Sequence, residues 1–152
     1  MAYEPIHMTW DYWDGPRTGI ADCEGRPHYF SCLFDPQQEE YRDLFAITPI
    51  DAETWHWAQQ HWAIWQRWEA EVNAGRLTPE SHPKYGHFDP RYTELEALID
   101  SGIDRLRDQT VRRRGALRRR AVEGELFPGQ WNRYEIEWSA PLADDGPDEG
   151  AK

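Results

Sequence analysis

The run 52–74 does most to limit the folds open to this chain. Asp51 precedes it as an N-cap, Gly75 follows it as a stop, and its apolar residues recur with a helical period. At 100° per residue, Trp57, Ala58, Ile64, Trp65, Trp68 and Val72 fall within an arc of about 120°, with the Gln, the Arg and most of the Glu opposite. A stripe of that kind must be buried against another layer, and the segments on either side read as strands.

Upstream, 8–13 is rich in Thr, Trp and Tyr and is broken by a loop at 14–19. Residues 20–23 then turn through Glu24-Gly25 into 28–34. A two-residue turn there pairs residues whose numbers sum to 49, which sets Cys23 against Arg26 and leaves Cys32 well down the partner strand. No disulfide between the two cysteines suits that register, so both are expected as reduced thiols. In the third strand His28, Phe30, Cys32 and Phe34 share the expected core face. A fourth short strand at 44–50 ends near Pro49.

Downstream of the helix, Asp89-Pro90 marks a second start, and Tyr92, Leu95, Ile99, Ile103 and Leu106 continue it to about residue 108, weakened locally by Gly102. The Arg-rich stretch 110–126 fits neither period cleanly; a strand over 116–125 fits it best. Pro128-Gly129 is a turn, and Tyr134, Ile136 and Trp138 alternate with Glu135 and Glu137 in a last strand. The expectation is therefore an α+β fold: an antiparallel sheet of about five strands drawn from both chain ends, covered by an inserted pair of helices at 52–74 and 90–108. Residues 1–142 form a single domain, and 143–152 form a disordered acidic tail.

The formal net charge of −11 is unevenly placed: residues 1–100 carry 18 acids against 7 bases, whereas 101–142 carry 6 against 9. A body so acidic repels nucleic acid over most of its surface, because binding there depends on Lys and Arg replacing counterions. Arg118 and Arg120 are expected on a strand, paired with Glu135 or Glu137 in a cross-strand ladder. Of 17 basic residues only Lys84 and Lys152 are Lys, which reads as G+C-rich bacterial codon usage. No 20-residue apolar stretch suggests a membrane span, and the N-terminal residues lack the pattern of a secretion signal, so the expected compartment is the cytoplasm.

Candidate functional residues are few. The Asp14-Gly15-Pro16-Arg17-Thr18-Gly19 segment combines two permissive glycines with a guanidinium that can meet a carboxylate or phosphate, or fold back on Asp11 or Asp14. His61 falls near the centre of the apolar arc, where an imidazole needs a partner, expected from a Tyr or carboxylate on the sheet. Trp57, Trp65 and Trp68 read as core; Trp13, Trp55 and Trp62 read as an exposed aromatic patch. None of the six histidines has the His-x-x-x-His spacing of two ligands on one helical face, and His56 and His61 lie about 140° apart, so neither metal nor other cofactor is expected.

With no catalytic constellation beside this acidity and aromatic surplus, the leading expectation is a non-catalytic protein-interaction or inhibitory module. Its expected partner is another protein, a basic one being the kind this charge would steer, or a second copy of the chain. The alternative is a small hydrolase or ligand-binding enzyme with a pocket between the 14–19 loop and the Trp-rich helix. There Arg17 would hold an anionic substrate with Trp13, Trp55 and Trp62 around it, His28 or His61 would move a proton, and Asp14 or Asp22 would orient the imidazole.

Overall fold

The computed structural model describes residues 2–119 and 134–143. Two compact units emerge, one from the segments up to Pro49 and from Arg107 onward, the other from Ile50–Leu106.

The first unit is a closed antiparallel barrel of six described strands: β1 (Tyr3–Tyr12), β2 (Pro16–Cys23), β3 (Arg26–Asp35), β4 (Glu40–Pro49), β5 (Val111–Arg119) and β6 (Tyr134–Trp138). The expected sheet of about five strands is thus antiparallel but closed, with six. Closure comes from the start of β1, five residues earlier than its apolar alternation suggests, where Tyr3, Glu4 and Pro5 pair with Glu137, Ile136 and Glu135. A barrel leaves no unpaired edge, which answers the aggregation hazard of an open sheet. The β2–β3 register follows the Glu24-Gly25 turn as expected, with Cys23 opposite Arg26 and Asp22 opposite Pro27. Both cysteines are buried and free.

Phe30, Phe45, Ile47, Ile136 and Trp138 fill the interior, with Phe45 edge-on to both Phe30 and Trp138. The expected core face of β3 holds for Phe30 and Cys32. It fails for Phe34, because a register shift between Cys32 and Phe34 re-aims that side chain outward. The Arg-rich segment enters strand at Val111, not at 116, and is described to Arg119. The remaining expected strand residues at 120–125, Arg120 included, and the Pro128-Gly129 turn lie outside the described residues. So does the expected acidic tail from residue 144 onward.

The second unit is a helical hairpin. Helix α1 (Ala52–Asn73) opens on Asp51, whose carboxylate accepts the Thr54 N–H at 2.8 Å, and it stops before Gly75 at φ +77°. Helix α2 (Arg91–Arg105) buries Tyr92, Leu95, Ile99 and Ile103, as its spacing requires. It ends short of residue 108; a 3-10 turn at Arg107–Gln109 leads back to the barrel unit. Ile64, Tyr92 and Leu95 pack together, with Trp57 and Trp65 partly buried against them. No helix among the described residues is long and apolar enough to cross a membrane.

Candidate interaction surface at the barrel mouth

In an up-and-down barrel alternate hairpins share an end, so the β1–β2 and β3–β4 tips stand together at one mouth, and Arg119 and Tyr134 end their strands there too. The expected open loop at 14–19 is instead a tight tip: Pro16 already pairs with Tyr12, and Thr18 and Gly19 are strand residues. The Trp13 N–H donates to the Gly15 carbonyl at 3.0 Å, while Asp14 sits at φ +53° and Gly15 at +126°.

Arg17 folds inward beneath this tip. Its Nε donates to the Trp13 carbonyl at 2.7 Å and one terminal nitrogen donates to the Asp14 carbonyl at 2.8 Å. The other terminal nitrogen approaches Cys32 Sγ at 3.6 Å, and the guanidinium lies 4.6 Å from the centre of the Tyr41 ring. A Cβ added at Gly15 would meet Leu117 of β5 at 3.4 Å, so the tip bends across the mouth. Arg17 thus acts as a stopper, its charge shared among backbone carbonyls, a thiol and a ring. Cys32 donates to the Arg42 carbonyl at 2.9 Å, and burial pushes its thiol up, with Arg17 pulling the other way.

Around this stopper stands a collar of rings. Phe34 meets Tyr41 edge-on at 5.0 Å, and the Tyr12 and Tyr134 hydroxyls are 2.9 Å apart. That hydrogen bond raises the Tyr134 pKa, with burial and the nearby Asp14 charge adding to it and Arg119 opposing. Trp13 is 73% exposed, Phe34 50% and Tyr12 37%. The acids Asp11, Asp14, Glu39 and Glu40 are exposed at the two tips, and Asp43 is exposed further along β4.

Of the other sequence candidates, Asp22 and His28 stand by the β2–β3 turn at the opposite end of the barrel, and His61, Trp55 and Trp62 belong to the helical unit. Asp22 takes His7 as partner, Nε2 to Oδ1 at 2.8 Å, and not His28, whose Nδ1 lies 2.8 Å from the Arg26 carbonyl oxygen. His61 sits in the helical unit. It is buried, stacked on Tyr92 at 4.0 Å, with Nε2 3.5 Å from Glu96 Oε1; the tyrosine and carboxylate beside it belong to α2, whose buried apolar face packs on α1. Burial first and the His82 charge second lower the His61 pKa to about 4. Trp62, expected exposed, is buried and stacked on Trp65 at 4.7 Å: the buried arc of α1 is wider than its most apolar positions indicate. Trp55 is half-buried.

A concavity of about 630 Å³ in the helical unit has Ala70, Leu77 and Phe88 in its lining. The charges on it are already matched, Arg67 to Asp89 at 2.8 Å and Glu71 to Arg76 at 2.6 Å. Of the mouth residues, only Trp13, Asp14 and Arg17 stood out in the sequence; Tyr12, Phe34, Tyr41 and Tyr134 reach it through strand register, which no local motif announces. Comparison with protein-family models, curated proteins and solved structures finds no match to this chain.

Proposed function

We propose that this chain is a non-catalytic, cytosolic protein-interaction module that docks a partner protein on the aromatic mouth of its barrel. The observation that carries this reading is the exposure of Trp13, Phe34 and Tyr12 at one end of a barrel whose interior is filled by its own side chains. Large rings held on a rigid frame supply contact area at low entropic cost, and Trp and Tyr are the residues most enriched at binding hot spots. The hydrolase alternative draws less support, because Arg17 is engaged by carbonyls of its own turn and Asp22 by His7.

Site-specific photocrosslinking tests the docking reading. A photoreactive phenylalanine analogue placed at position 13 and irradiated in a G+C-rich bacterial lysate is expected to yield a defined protein adduct, absent when the analogue replaces exposed Glu94 on α2. Failure to form an adduct at both position 13 and position 34 would overturn the reading.

A further inference from the structure

We infer that the segment docked at the mouth is basic, and that one of its arginine or lysine side chains stacks on the Trp13 indole between the two acidic tips. This inference rests on the docking reading and adds the chemistry of the partner. Three observations converge on it.

The tips are acidic on both sides of the ring. Asp11 and Asp14 flank Trp13 on one, Glu39 and Glu40 stand on the other, and all four are exposed. Of the cations toward this end, Arg17 is engaged by two carbonyls and the Tyr41 ring and Arg114 by Asp43 at 2.8 Å, while Arg42 and Arg119 stand on β4 and β5 and not on the tips. The two tips themselves, 11–15 and 35–40, carry five acids and no basic residue, in keeping with a chain of formal charge −11.

The mouth also displays the contact type within itself, since Arg17 lies over the Tyr41 face at 4.6 Å. Trp is the strongest of the aromatic cation acceptors, and Trp13 is the most exposed large apolar side chain described.

The ring stands on a fixed base. The Trp13 backbone is tied at both polar atoms, its N–H to the Gly15 carbonyl and its carbonyl to Arg17 Nε, so little order need be added on binding. Nucleic acid and acidic peptides meet like charge at both tips. A second copy of the chain brings the same acids to face these, and a wholly apolar helix would set Asp14, Glu39 and Glu40 against apolar surface with no partner charge.

The experiment titrates the whole protein with an acetylated, amidated (Gly-Arg)4 peptide while the ¹⁵N-labelled indole signals are followed by NMR, Trp13 being assigned from Trp13→Phe. The expected result is a saturable shift of the Trp13 signal that weakens as salt is raised. Trp13→Ala should weaken binding about tenfold or more, and Asp14→Asn, which keeps a residue tolerant of positive φ, by severalfold. A peptide with citrulline in place of arginine should leave Trp13 unmoved. Equal binding of the citrulline peptide, a response spread over other acids with Trp13 still, or preferential binding of RNA or of an uncharged amphipathic helix at Trp13 would each overturn the inference. A protein adduct at position 13 with no response to the arginine peptide would sink this inference and leave the docking reading standing; loss of both would remove both.

Discussion

Gly102 of α2 abuts Thr54 of α1 so closely that a Cβ built on it would fall 2.0 Å from Thr54 Oγ1. In a solvent-facing helix interior, replacing Gly by Ala stabilises by roughly 0.5–1 kcal/mol. Here the sign reverses, because Thr54 is fully buried and its backbone N–H is fixed to Asp51, leaving little room to retreat. Gly102→Ala is expected to destabilise the helical unit by about 1–3 kcal/mol, the usual cost of overpacking. Urea unfolding followed by tryptophan fluorescence measures it, since five of the nine Trp lie in that unit. A stabilised variant would show that the helices do not approach this closely.

Burial of neutral His61 makes the helical unit acid-labile. Its pKa falls from about 6.5 to about 4 on folding, so between those values the unfolded chain binds the proton more tightly and stability drops as pH falls. The lost contribution is on the order of 3 kcal/mol once pH is below both values. His82, lowered by burial and by Lys84, acts in the same direction. Glu69 and Glu96, both raised by burial, act oppositely and reduce the net slope. Tyr92 ionises only above this window. Urea midpoints at pH 7.5 and 4.5 should therefore differ by less in His61→Leu than in the parent chain; an unchanged difference would remove His61 as the cause.

Glu4 caps a turn from another strand. Its two carboxylate oxygens accept the Glu24 N–H at 3.1 Å and the Gly25 N–H at 2.8 Å, where Glu24 stands at φ +55° and Gly25 at +77°. Both donors face out of the hairpin and are met by charge. Glu4→Ala should cost about 1–2 kcal/mol, and Glu4→Gln, which keeps one acceptor oxygen, less. Hydrogen exchange at the Glu24 and Gly25 amides would rise in Glu4→Ala. Unchanged exchange would exclude the cap.

The parts legible in the sequence were those with strong local signals. Glu24-Gly25 fixed the register from Cys23 against Arg26 up to Thr18 against Ser31, and the helical period put His61 near the middle of the buried arc. Barrel closure was hidden because Tyr3, Glu4 and Pro5 carry no apolar alternation, and register shifts after Ile6 and Thr9 break the pattern in β1. Those irregularities also concealed the His7–Asp22 pair. In β5 the positions alternating with Val111 and Leu117 include Arg113 and Gly115, the latter so tightly packed that a Cβ would lie 2.6 Å from Ile136. A strand whose inward face contains an Arg and a Gly offers little hydrophobic period to read. Gly19 stood out as a site for close approach, but what approaches is the Met8 carbonyl, 2.0 Å from an added Cβ, and not a ligand.

Three of the five arginines of β5, Arg113, Arg114 and Arg118, are held by the barrel itself, which bears on the expectation for nucleic acid. Arg118 pairs with Glu135 directly across β6 and lies 3.8 Å from the centre of the Tyr3 ring. Arg113 bonds the Ser139 carbonyl at 2.9 Å and Glu24 at 3.1 Å, and Arg114 bonds Asp43. Releasing these groups to phosphates would forfeit existing partners, and the gain from counterion release is small on a chain of charge −11. At 0.15 M salt the Debye length of ~8 Å screens the patch without removing repulsion from the nearer acids. Mobility-shift titrations with RNA and duplex DNA at that ionic strength should therefore show no complex. A shift that weakens with salt and vanishes in Arg118→Glu would place a nucleic-acid surface on β5 and overturn this expectation.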